Sequence, residues 1–228
     1  MRYLIVIFSL FFLISCSNNR TPIPKTKIVN TDTIALKNGA TVSILTENAI
    51  NGDVVEDTNN YLNIVTRSDT ATVVGLKIAQ YAASIFSYTG GSVSGFTKED
   101  LKGSYINTVP NPTMNILNPQ LSTIVKTLKA NKQKENTIIV QPYKFKLIYD
   151  GLTDDKYNFI YSTSISSENF KFVCSSDDLV ASDKTKPFSE WENNNYQLVQ
   201  DITLKLIDNC INKLKLKENL SNLENTLL

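Results

Sequence analysis

Alternation with a period of two dominates residues 138–175. In YKFKLIYDG, Tyr143, Phe145, Leu147 and Tyr149 fall on one face, with Lys144 and Lys146 opposite. After DGLTDDKYN the pattern returns at Phe159, Tyr161 and Ile165, and after SSEN at Phe170, Phe172 and Cys174. Successive side chains of a strand point to opposite faces, so a half-buried strand alternates apolar and polar residues. Three such strands joined by short polar turns predict an antiparallel meander with one aromatic face.

Upstream, TVSILTE (41–47) and NYLNIVTR (60–67) are rich in β-branched and apolar residues and predict an N-terminal strand pair. The period then changes. Over 71–88, Val74, Ile78, Tyr81 and Ile85 share one helical face, with Ala79, Ala82 and Ala83 beside it, which predicts a buried helix. Gly90 or Gly91 can end that helix, and Thr97 with Asp100 can cap a short turn after it. A phosphate loop does not fit these glycines, because no GK[ST] tripeptide follows them and a helix rather than a strand precedes them. Residues 108–119 carry Pro110, Pro112 and Pro119 among asparagines and predict an irregular connection. From Pro119 to Asn136 a helix is expected, with Lys126, Lys129, Lys132 and Lys134 at its solvated end.

The last pattern has spacings of three and four. Val199, Ile202, Leu206, Cys210 and Leu214 line one side of a long amphipathic helix expected over about 190–217, with Ser189 and Glu192 as a capping box. Covering the aromatic sheet face is the economical place for it. The expected fold class is therefore α+β, a meander packed against this helix. Leu216, Leu220, Leu223 and Leu227 continue into a C-terminal tail (218–228), read either as frayed helix or as a docking stripe for a partner helix.

Composition narrows the chemistry. A hydrophobic share of 42% with 20% charged residues fits a folded chain rather than a disordered one. There is no histidine, which removes Ser-His-Asp and Cys-His catalysis and His-containing zinc sites. Three cysteines are too few for a zinc site made of thiolates alone, which takes four. Asp154, Asp155, Asp177 and Asp178 fall in turn contexts, where adjacent acids are ordinarily solvated. No catalytic constellation emerges, and neither an enzyme nor a cofactor is expected.

The amino terminus adds an address. Arg2 precedes an apolar run from Tyr3 to Ile14, broken only by Ser9, and small Ser15 precedes Cys16. This is the layout of a secretory signal, and the run is shorter than the ~20 residues that span a bilayer as a helix. Leu13-Ile14-Ser15-Cys16 resembles the lipobox of bacterial lipoproteins. That resemblance implies cleavage before Cys16 and diacylglyceryl attachment to its sulfur, and Ser17 in the next position favours the outer membrane of a Gram-negative cell, facing the periplasm. Removal of residues 1–15 takes away Arg2 alone among the charged residues, leaving 22 basic and 22 acidic side chains. A neutral body offers no field for nucleic acid.

An exported chain meets an oxidising compartment, where disulfides persist. Cys174 and Cys210 are then either bonded or two buried thiols, and the helix carrying Cys210 back over the meander favours the bond. The expected organisation is a signal peptide (1–15), acylated Cys16 with a flexible tether (16–33), one α+β domain (34–217) and the tail. The expected function is a non-catalytic, membrane-anchored envelope lipoprotein serving as a protein-interaction or assembly accessory. The membrane is its partner through Cys16, and an envelope protein is the second. The alternative is a small-ligand binder with its pocket between the aromatic sheet face and a helix.

Overall fold

The computed structural model describes residues 26–49, 60–71, 98–151, 153 and 155–228. Its centre is a curled sheet of eight strands, a half-barrel closed by helices. Strand β1 (Thr26–Ala35) turns back through Leu36–Gly39 into β2 (Thr41–Ala49). Gly39 takes the left-handed conformation that this tight turn needs, at φ +82°. Asn38 Oδ1 accepts from the Ala40 amide at 3.1 Å and fixes the turn.

Strands β3 (Tyr61–Val65) and β4 (Ser104–Pro110) pair antiparallel. The two N-terminal strands expected from the sequence both form, as β2 and β3, but not as a pair: β2 bonds to β1 and β5 (Asn136–Tyr149), and β3 to β4 and β5. Each is hydrogen-bonded in parallel to β5, β2 along Asn136–Val140 and β3 along Lys146–Ile148. They lie one behind the other on the edge of β5 that faces away from β6. A bulge between Pro142 and Lys144 bends β5 between the two contacts.

The meander forms as the alternation predicts. Strands β5, β6 (Lys156–Ser167) and β7 (Phe170–Ser175) run antiparallel, and short β8 (Thr185–Pro187) adds to the start of β6. Lys146, assigned by alternation to the polar face, is fully buried. The face it occupies is covered by the segment 98–101, and Lys146 Nζ donates to the carbonyls of Leu101 at 2.9 Å and Glu99 at 3.2 Å. Gly103 lets this segment lie against β3; a Cβ there would come within 2.3 Å of the Ile64 carbonyl oxygen.

A single π-turn (Thr113–Leu117) leads into α1 (Asn118–Val125), which has Pro119 in its first turn. The helix expected to reach Asn136 stops at Val125, with turns to Leu128. The chain beyond it is captured instead by the C-terminus, since the Asn131 amide donates to the Leu227 carbonyl at 2.7 Å.

After a four-residue helix, α2 (Ala181–Lys184), comes α3 (Phe188–Leu214). It begins one residue before the anticipated capping box, and no side chain caps it. At Asn193 the backbone becomes extended, and Asn194, Asn195 and Tyr196 are left-handed (φ +50°, +54° and +61°) before the long amphipathic stretch begins. Its buried side is Val199, Ile202, Leu206, Cys210 and Leu214, as the spacing predicts. The C-terminal residues 217–227 form helix α4. Leu223 and Leu227 are fully buried in the same core and Leu220 packs partly against it, so the expected tail is an element of the domain; Leu216, the first of the leucine stripe, stays exposed.

Two further expectations meet the structure differently. Residues 26–33, assigned to the tether, are the edge strand β1, because Asn30, Asp32 and Ile34 turn alternately toward the sheet's inner face. The helix expected over 71–88, with Gly90, Gly91 and Thr97 after it, lies outside the described residues apart from Ala71, which is helical together with Arg67–Thr70. Among the described residues no helix is long and apolar enough to cross a membrane.

Candidate functional site

The aromatic face is core. Phe145, Phe159, Tyr161 and Trp191 are fully buried, with Phe159 and Trp191 ring centroids 6.0 Å apart. Phe145 meets both Phe159 and Tyr161 edge-on, at 6.2 and 6.4 Å. Trp191 Nε1 donates to the Tyr157 carbonyl at 2.9 Å, which fixes α3 on the sheet. The place expected for a small-ligand pocket is filled by side chains.

The residues singled out in the sequence are scattered. Cys16 and Asp154 lie outside the described residues. Cys174 and Cys210 are disulfide-bonded, with Cα atoms 5.5 Å apart, inside the range such a bond requires. The Asp155 carbonyl accepts the first amide of α3 at 2.8 Å. Asp177 is paired with Lys184 at 2.6 Å and bonded by Ser175. The Lys184 hydrogen bond, and then the one from Ser175, hold its carboxyl below the usual range. Asp178 pairs with Lys213 at 2.7 Å. These acids do not face one another across a cleft, and among the described residues no group of three His, Cys, Asp or Glu is placed to hold a metal.

The structure brings other residues together. A cleft of about 570 Å³ lies between β1 on one side and the π-turn with α1 on the other. Asn30, Asp32 and Ile34 line it from the strand; Asn115 lines it from the π-turn and Asn118 and Ser122 from the helix, with Lys126 at the end. A smaller cleft of about 180 Å³ shares Met114 and Asn115 with it as a common wall. Met114 is 41% exposed.

Beneath this wall is a buried polar network. Thr113 Oγ1 donates to Asn111 Oδ1 at 2.7 Å and lies 2.7 Å from the Tyr161 hydroxyl. Since the single Thr113 hydroxyl proton is committed to Asn111, Tyr161 donates to Thr113. Burial holds the Tyr161 phenol neutral far above its ordinary range, against the smaller opposing effect of Thr113. Asn118 is 2% exposed and its Nδ2 donates to Thr46 Oγ1 at 2.7 Å. Asn118 Oδ1 and Asn111 Nδ2 are buried without a hydrogen-bond partner in the protein. Each such group costs about 1–3 kcal/mol when unmet; the unmet acceptor belongs to Asn118 in the wall of the large cleft and the unmet donor to Asn111 in the wall of the small one.

These amides stand in PNPTMNILNP, which the sequence marks only as an irregular, proline-broken connection. Runs of asparagine between prolines are common in loops, and nothing in the run distinguishes a solvated amide from a buried one. Chemically the site is neutral. Its one acid and one base, Asp32 and Lys126, balance, and it otherwise offers amides, hydroxyls and a strand edge, which suit recognition through hydrogen bonds.

No family model, no curated protein and no solved structure matches this chain.

Proposed function

We propose that this chain is a non-catalytic lipoprotein of the bacterial envelope that holds a protein partner close to the membrane carrying it. The observation that carries the reading is the position of β1. The first described strand begins at Thr26, ten residues after the Cys16 of the lipobox-like LISC. At ~3.3–3.6 Å per residue that leash reaches at most about 35 Å. One acyl chain anchors only marginally and two or more anchor stably, so a body acylated on Cys16 stays within that distance of the lipid. Its first described strand borders the amide-lined cleft, which therefore sits on the part of the body nearest the leash. The lack of histidine and the neutral mature charge agree with recognition of a protein rather than with catalysis or nucleic-acid binding. A small-ligand binder is the second reading, favoured by the same cleft rather than by the filled aromatic face.

Metabolic labelling tests the anchor. Wild type is expected to incorporate labelled palmitate, to gain mass in globomycin and to fractionate with the outer membrane. Cys16→Ala is expected to lose the label, and Ser17→Asp to shift the protein to the inner membrane. Unchanged mobility in globomycin together with absence of label sinks the location and the partner-at-the-membrane reading.

A further inference from the structure

We propose that the open edge of β1 over Asn30–Ala35 takes up an extended segment of a partner protein as an added strand, with α1 as the facing wall; this deepens the protein-interaction reading above and rests on it. Among the described residues β1 pairs only with β2, so no described strand occupies its other edge. Such an edge selects for an extended backbone, because only another strand repeats donors and acceptors at the matching spacing.

The two halves of β1 differ. In the first, a bulge between Ile28 and Asn30 breaks the spacing and Lys27 adds a charge, both devices that discourage edge pairing. The second half has no bulge, and it is the half that lines the cleft. There Asn30, Asp32 and Ile34 share the inward face, so every second residue of an added strand would lie beside them and project toward α1.

The walls define the guest. Asn30, Asn118 and Ser122 line the cleft with two amides and a hydroxyl. Asp32 and Lys126 give the walls one charge of each sign. The segment that fits is therefore near-neutral and extended, with a hydroxyl or amide side chain at an inward position. A second copy of this chain fits less well, since pairing two β1 strands centred on Asp32 would set two carboxylates opposite each other.

Random peptides displayed on phage and selected on the purified full-length chain test the proposal. Enriched peptides are expected to share an inward Ser, Thr, Asn or Gln. A synthetic peptide of that sequence should shift the backbone amides of residues 30–35 and 115–122 and give cross-strand backbone NOEs to β1. Ser122→Trp and, separately, Asn115→Trp place an indole in the groove from half-buried and exposed positions and should weaken binding at least about tenfold. Leu204→Trp, at an exposed position on α3, should leave binding unchanged. Absence of any enriched peptide overturns the proposal, as does binding that survives both groove variants with their melting temperatures intact. A concentration-dependent dimer abolished by those variants also overturns it, by making a second copy the occupant. Because the selection uses no lipid, its failure is separate from failure of the Cys16 anchor.

Discussion

Lys146 is the clearest single-residue case of a side chain used against its usual habit. Lysine is almost never fully buried unless its ammonium is paired; here Nζ donates to two carbonyls of the 98–101 segment and ties that segment to β5. Lys146→Met keeps the stem and removes the donor, leaving both carbonyls short of a partner. The expected loss is about 1–3 kcal/mol in urea unfolding, with faster amide exchange at Leu101 and Lys102. Alternation in the sequence placed this lysine in solvent because a period of two tells which residues share a face, not whether something covers that face. Tyr161 gives a second test. Its hydroxyl pKa is raised in the fold, so the stability it contributes is complete below the unfolded phenol value of about 10 and is lost as pH rises above it. Wild type is expected to lose stability steeply above about pH 10. Tyr161→Phe should flatten that decline while costing about 1 kcal/mol at neutral pH through the missing bond to Thr113. Melts across alkaline pH read both effects.

At the scale of elements, the meander and α3 were legible because each repeats its pattern several times. Phe145–Leu147–Tyr149, Phe159–Tyr161 and Phe170–Phe172 mark three strands on their own, and Val199 to Leu214 mark a helix. β1 was not legible. As an edge strand it buries only Ile34 fully, and TKIVNTDTIA otherwise has the composition of a solvated tether. The bond between Cys174 on β7 and Cys210 on α3 joins two elements that the pattern did reveal, which is why it was anticipated. It closes a loop of 36 residues in separation, worth about 4 kcal/mol on the chain-entropy model. Replacing both cysteines with serine is expected to lower unfolding free energy by about 3–4 kcal/mol, measured by denaturant titration under oxidising conditions. Under a reductant the wild type should fall toward the variant.

For the molecule as a whole, the C-terminus closes the fold. Leu223 and Leu227 of α4 are fully buried, the Leu227 and Leu228 carbonyls accept from Asn131, and the Thr226 carbonyl accepts from Lys134. Heptad-like leucines announced an apolar face in the sequence without naming what it meets; only the chain's return past Asn131 to β5 decides that. Leu223→Ala is expected to cost about 2–5 kcal/mol, and deletion of 217–228 to abolish a cooperative thermal transition followed by circular dichroism. The cleft was the least legible feature, since unmet amides at Asn111 and Asn118 exist only once α1, β2 and the π-turn are assembled.

One mechanical consequence follows from β1 being both the first and the outermost of the described strands. Tension applied at the amino-terminal end reaches the β1–β2 ladder before any other part of the sheet, and a strand held on one side peels more readily than one held on both. Complete peeling of its ten residues would lengthen the leash by about 34 Å. The rest of the body, closed by the bond between β7 and α3, would stay folded. A single-molecule pulling trace is expected to show that step first. Because the peeled strand is also the proposed docking edge, strain between membrane and body would release the guest before it unfolded the host.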